Sequence, residues 1–216
     1  MEITALIPAY NEEKTIGTII QTLKNIELID DILVIDDGSA DNTSKEARQS
    51  GARVIKLDQN QGKGAALQKG IECIDSHIAL MLDGDLIGLN EKHINKLIKP
   101  LLNEEVDMVV GVFNEGRGLT DLAQMVTPNL SGQRALKLEV IKDLDLTEKG
   151  FGVEISLNKY VKENGTVKFV DLPELTHVMK EEKMGFVKGL VARMKMYWEI
   201  LRTVLERYLQ KQKNKK

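Results

Sequence analysis

Four short polar clusters in this 216-residue chain hold the residue types from which a site for an anionic ligand can be built. Asp83 and Asp85 stand two apart around Gly84, after the apolar run 78–82. On a strand-like backbone that spacing turns both carboxylates to one side. Two hard oxygen donors on one side suit Mg²⁺ or Mn²⁺, with positions left for a substrate's phosphate oxygens. A calcium loop beginning at Asp83 is excluded, because its fifth and twelfth positions would be Ile87 and Ile94, where oxygen ligands are required. Gly62-Lys63-Gly64 opens a helical pattern, so exposed N–H groups, the helix dipole and one Lys converge there on a candidate anion site. It is not a P-loop, since Leu57 and Gly64 occupy the required Gly and Ser/Thr positions, and Leu67 breaks a dinucleotide fingerprint. The remaining clusters are Pro8-Ala9-Tyr10-Asn11-Glu12 and Asp36-Asp37-Gly38-Ser39.

Each cluster follows a short β-rich run. Residues 3–8, 32–36, 53–57, 78–82 and 108–112 read as strands, and 12–24, 42–50, 64–74 and 91–102 between them read as amphipathic helices. Strands separated by helices imply an α/β fold with a mainly parallel sheet flanked by helices. Ligands of such sheets sit outside the carboxyl ends of the strands, where all four clusters fall. Beyond 112 the pattern changes. Residues 113–130 lack periodicity and are expected to form a long functional loop. Helices are expected over 131–144 and 152–162, a strand over 167–172, and a closing helix over 184–209. That closing segment repeats apolar residues from Val187 to Tyr208 with Lys and Arg elsewhere, a stripe suited to packing on the body, a homodimer contact or an anionic membrane surface.

The charge balance narrows the partners. Net charge is −3, but residues 183–216 carry +8 and the remainder −11, a poor footprint for nucleic acid. A domain of this length buries roughly 70% of its unfolded surface and needs no staple, and the lone Cys73 permits no internal disulfide. With no basic leader and no run of 18 apolar residues, the expectation is a cytoplasmic protein, its basic tail peripheral at the inner membrane face. Residues 1–182 are expected to form one domain, in two halves at 1–112 and 113–182, and 183–216 the basic amphipathic helix and tail.

Taken in order, Leu6-Ile7-Pro8-Ala9-Tyr10-Asn11-Glu12-Glu13, Val34-Ile35-Asp36-Asp37-Gly38-Ser39 with Asp41-Asn42-Thr43, Asn60-Gln61-Gly62-Lys63-Gly64, and Leu82-Asp83-Gly84-Asp85-Leu86 resemble the family-2 glycosyltransferases of the GT-A fold. Ser131-Gly132-Gln133-Arg134-Ala135-Leu136 and Gly150-Phe151-Gly152-Val153-Glu154-Ile155 are most similar to the branch of polyprenyl-phosphate glycosyltransferases and glucosyl-3-phosphoglycerate synthases. The resemblance implies a nucleotide-sugar donor, UDP- or GDP-hexose, lined by Pro8, Ala9, Tyr10 and Glu12. Asp37 would contact base or ribose, and Gly62, Lys63 and Gly64 would close over the nucleotide. Asp83, Gly84 and Asp85 match the family's acidic motif for Mg²⁺ or Mn²⁺, and His177 resembles the metal-binding His of the phosphoglycerate synthases. Ser131, Gly132, Gln133 and Arg134 would meet the acceptor, since a guanidinium fork fits phosphate or carboxylate. Asp85, Arg134 and Glu154 would carry the chemistry, Glu154 orienting the acceptor or acting as base.

The first expectation for the acceptor is a polyprenyl phosphate at the membrane. The alternative is a soluble transferase using 3-phosphoglycerate, favoured by His177 and Gly152-Val153-Glu154, because the Arg and Gly-Ser-Lys run usual in the lipid-phosphate enzymes is replaced by Leu175-Thr176-His177-Val178-Met179-Lys180. A catalytically silent sugar-nucleotide-binding module is the reading of another class, opposed by the intact Asp83-Gly84-Asp85.

Overall fold

The computed structural model describes residues 1–113, 131–147 and 153–177. Met1–Thr176 forms one compact unit and His177–Lys216 a second. The expected loop at 113–130 beyond Phe113, the closing helix at 184–209 and Gly150-Phe151-Gly152 lie outside the described residues.

Strands and helices alternate as the apolar pattern requires: β1 Ile3–Ala9, α1 Ile16–Lys24, β2 Asp31–Asp36, α2 Thr43–Gln49, β3 Arg53–Lys56, α3 Lys63–Ile71, β4 Ile78–Met81, β5 Leu86–Ile87, α4 Glu91–Asn103 and β6 Met108–Phe113. There follow β7 Arg134–Lys137, α5 Leu138–Ile141, α6 Val153–Asn164, β8 Val167–Leu172 and β9 Thr176–His177. Seven strands form one sheet in the order β3-β2-β1-β4-β7-β6-β8, and β5 with β9 forms a second, two-stranded one. β1, β2, β3 and β4 run parallel. β7 enters antiparallel to both β4 and β6, while β8 is parallel to β6.

The central strands of the sheet are buried on both faces. Ile3, Ala5, Ile7 and Ala9 of β1 join Ile16, Ile19, Ile20 and Leu23 of α1 and Ile94, Leu97 and Leu101 of α4 on one side. Leu6, with Leu33 and Ile35 of β2, meets Ala66 and Leu67 of α3 and Leu157 and Val161 of α6 on the other. This two-residue alternation within an almost wholly apolar strand is what a central parallel strand requires. Among the described residues no helix is long and apolar enough to cross a membrane.

One expectation is corrected. Residues 131–144 do not form a helix; Arg134–Lys137 is a strand and only Leu138–Ile141 a single helical turn. Ala, Leu and Lys are good helix formers, but Ala135 and Leu136 are buried on opposite faces of the sheet, and pairing on both edges overrides the propensity.

Candidate active site

The ends of β1 and β2 are laced together by their own motif residues. Asn11 adopts a left-handed backbone, φ 58°. Its N–H donates to Ser39 Oγ at 2.9 Å, and its Oδ1 accepts from the Ala40 N–H at 3.0 Å. The Glu12 N–H donates to Thr43 Oγ1 at 2.8 Å, and Glu13 Oε2 accepts from the Asn42 N–H at 3.1 Å. Asp36 is wholly buried and accepts from the Ser39 N–H at 2.8 Å and from the Ser44 hydroxyl. Much of the polarity of both motifs is therefore consumed in fixing two loops against each other. At the same edge, Pro8 and Ala9 end β1, Ala9 buried, and Tyr10 is 47% exposed just beyond it.

Asp37, expected to contact base or ribose, anchors a neighbouring loop. Its side chain is buried, and its two carboxylate oxygens accept the backbone N–H groups of Gln61 at 2.7 Å and Gly62 at 2.9 Å. It thereby anchors the loop that leads into α3. Gly62 caps that helix with φ +92°, a conformation that L side chains resist, and Lys63 follows as the first helical residue.

Lys63 is the centre of the site. Its Nζ donates to Asp83 Oδ1 at 2.5 Å and to Glu154 Oε1 at 2.6 Å, joining α3, the turn after β4 and the first turn of α6. Burial disfavours the ammonium, but the charges of Asp83 and Glu154, with their hydrogen bonds, outweigh it and hold its pKa above the ordinary lysine value. Asp83 is gripped a second time by Gln133: its Oδ2 accepts from Gln133 Nε2 at 2.9 Å, and its N–H donates to Gln133 Oε1 at 3.2 Å.

Asp83-Gly84-Asp85 lies in a turn between β4 and β5, so the strand-like spacing expected for the two carboxylates does not hold. The turn is tied to α1 by the Thr15 hydroxyl, which donates to Gly84 O at 2.7 Å. Among the described residues no three His, Cys, Asp or Glu side chains converge. The hard oxygens of Asp83 and Asp85 nevertheless fit Mg²⁺ or Mn²⁺, which ordinarily take one or two carboxylates and complete their shell with phosphate and water. His177 stands in β9, and its side chain lies outside the described residues.

The segment expected to meet the acceptor is instead the wall behind the Lys63–Asp83 pair. Ser131, Gln133 and Arg134 are all buried, as the entry to a strand covered on both faces requires. A Cβ on Gly132 would overlap the Asp83 carboxylate and come within 2.6 Å of Lys63 Nζ. Arg134, 1% exposed, is not an open anion fork: it donates to Ser131 O, to Glu154 O at 3.2 Å and to Asn158 Oδ1 at 3.2 Å. Burial pushes its pKa down to about 10, with Glu154 and Asp83 pulling the other way, so it stays cationic at neutral pH. Thr15 and Asn158 had no place in the sequence reading; a polar residue four after Glu154 on the buried face of α6 was the available signal for Asn158.

Residues 4–159 match the model of Glycosyl transferase family 2. An uncharacterized protein of Methanocaldococcus jannaschii is 31% identical over 228 residues, covering 93% of this chain and 91% of its own. The glucosyl-3-phosphoglycerate synthase of Mycobacterium tuberculosis is 31% identical over 192 residues, 72% of this chain, which spans only 59% of that relative's length. A solved structure of the M. tuberculosis synthase, in complex with Mn²⁺, UDP and glucosyl-3-phosphoglycerate, matches with a TM-score of 0.71 at 29% identity, over 89% of this chain and 79% of that one. Other complexes of that synthase contain Mn²⁺ with UDP-glucose and phosphoglyceric acid, or Mg²⁺ with UDP. The fold is thus shared with these solved relatives, and the chain belongs to glycosyl transferase family 2, a GT-A glycosyltransferase that draws on a nucleotide sugar.

Proposed function

We propose that this enzyme transfers glucose from UDP-glucose to a phosphoglycerate, releasing UDP. The observation that carries the reading is its 31% identity to glucosyl-3-phosphoglycerate synthases, whose solved complexes contain donor, acceptor and product. A lipid-phosphate acceptor, the first expectation from the sequence, gives way to it, because the solved relatives hold phosphoglyceric acid in that role.

In the transfer, the bond between glucose C1 and the diphosphate oxygen breaks with its electron pair going to UDP. A new bond forms from C1 to the acceptor's hydroxyl oxygen, which gives up its proton. Lys63, at the N-terminus of α3 with a raised pKa, is a fixed cation for the departing diphosphate. Asp85, with Asp83, would hold Mg²⁺ or Mn²⁺. Such an ion, when bound, supplies neutralising charge for the leaving group. Glu154, whose carboxylate meets Lys63, is the group to orient the acceptor hydroxyl and accept its proton. Lys63 thus links the donor-side charge to the acceptor-side carboxylate.

The test is turnover of radiolabelled UDP-glucose and GDP-mannose by the full chain, with Mn²⁺, against 3-phosphoglycerate or a membrane lipid extract. Label transferred from UDP-glucose to a phosphoglycerate product is expected. Transfer only into lipid, or only from the GDP sugar, would overturn the reading.

A further inference from the structure

Arg134 is the only Lys or Arg that is buried among the described residues. Its described acceptors are uncharged oxygens: the Ser131 carbonyl at the entry to β7, the Glu154 carbonyl in the first turn of α6, and Asn158 Oδ1 one turn further on. Packing alone would be better served by Met or Leu, since a desolvated guanidinium costs free energy that these neutral oxygens and the more distant charges of Glu154 and Asp83 recover only in part. Its place in the sheet is specific. In β7, Arg134 pairs with Met81 of β4, two residues before Asp83, and with Val110 of β6. One side chain therefore joins the strand that adjoins the Asp83 turn to the helix that presents Glu154.

We propose that Arg134 is a positioning residue for Glu154: by gripping the Glu154 carbonyl and Asn158 it docks the first turn of α6 on the sheet and sets where the Glu154 carboxylate meets Lys63. The proposal rests on the preceding reading only for the part Glu154 plays in transfer. A residue that acts through another has no effect once the other is removed, and this separates positioning from bulk stabilisation.

The experiment compares the wild-type chain, Arg134→Met, Arg134→Lys and Asn158→Ala, and then Arg134→Met combined with Glu154→Gln. With UDP-glucose, Mn²⁺ and 3-phosphoglycerate, Arg134→Met should lower kcat by roughly 10- to 100-fold, as expected for a reacting group displaced by about 1 Å, while the KM for UDP-glucose moves less than about threefold. Asn158→Ala, which leaves the grip on the carbonyl, should give a smaller loss, and Arg134→Lys keeps the charge should the Met variant fail to fold. Added to Glu154→Gln, Arg134→Met should cost less than about threefold more. The same loss in both backgrounds overturns the proposal. Amide hydrogen exchange reads it independently of turnover: exchange should quicken over 153–158 in Arg134→Met or Arg134→Lys while β1 and β2 stay protected. Unchanged protection there overturns the proposal, even if 3-phosphoglycerate proves not to be the acceptor.

Discussion

Replacing Gly132 by Ala adds one methyl group to the wall of the site and should disable it. The new Cβ would stand 2.6 Å from Lys63 Nζ and in overlap with the Asp83 carboxylate, whereas unstrained contacts need about 3.5 Å, so Lys63 must retreat by roughly 0.9 Å and the Asp83 carboxylate by more. Neither partner is free to do so without loss. Asp83 is held by Gln133 on both its carboxylate and its N–H, and Lys63 is held by Glu154. Overpacking of this kind costs about 1–3 kcal/mol. The ion pair contributes little of that, because Lys63 is 34% exposed and solvent screens it. The larger effect is on rate, since a misplacement near 1 Å costs on the order of 100-fold. Thermal unfolding and steady-state kinetics on the full chain measure the two separately: a moderate fall in Tm with a drop in kcat/KM of one to two orders of magnitude is expected. A Gly132→Ala enzyme within threefold of wild type would refute the reasoning, because the Lys63–Asp83 pair would then not set the geometry of the reaction.

Three further outcomes follow from the same contacts. Asp37→Asn places an amide NH₂ against the N–H of Gln61 or Gly62, which should cost about 1–3 kcal/mol and raise the donor KM; the preference for UDP over GDP in competition binding should stay unchanged, and a switch in base preference would restore Asp37 as a base reader. Asp85→Ala should abolish the Mn²⁺-dependent part of UDP affinity in titration calorimetry, and unchanged titrations would remove Asp85 from the metal site. Because the pKa of Lys63 is raised on folding, its contribution to stability is complete below the unfolded value near 10.5 and lost as pH climbs through the folded one. Chemical denaturation above pH 10.5 should therefore weaken wild type more than Lys63→Met, and parallel alkaline profiles would count against the pair.

The first half of the chain was legible because each of its signals is local. A short apolar strand, a polar cluster at its end and a helix after it can be read without knowing the partners, and β1 to β4 with α1 to α4 lie within a few residues of where the pattern puts them, while the two-residue β5 was not foreseen. What was not legible depends on neighbours distant in sequence. The run Arg134-Ala135-Leu136-Lys137 has the composition of a helix and becomes a strand because β4 and β6 flank it. Arg134 was expected to face an acceptor's anion; whether a guanidinium points outward or onto α6 is decided by Ser131, Glu154 and Asn158, and nothing in its own vicinity announces them. Asp37 is a similar case, since its partners at Gln61 and Gly62 are backbone groups that look alike in any sequence. Lys63, Asp83 and Glu154 were each picked out by residue type, but their convergence on one ammonium needed the fold.

The antiparallel β7 also has a consequence for biosynthesis. Among the described residues β6 pairs with β7 and β8 alone, both of which come later in the chain, so Met108–Phe113 emerges before either is made. β7 follows roughly two dozen residues later, a delay of about 1–5 s at ordinary rates of translation. During that interval a six-residue apolar edge is shielded on one face by Leu97, Ile98 and Leu101 of α4 and is open to misassociation along its backbone. Pulse proteolysis of stalled nascent chains should find β1 to β4 already resistant in chains ending near residue 130 and β6 resistant only once β7 has been made; simultaneous protection of both would contradict this order. The strand whose Arg134 grips the first turn of α6 is thus also the one whose arrival covers the open edge of β6.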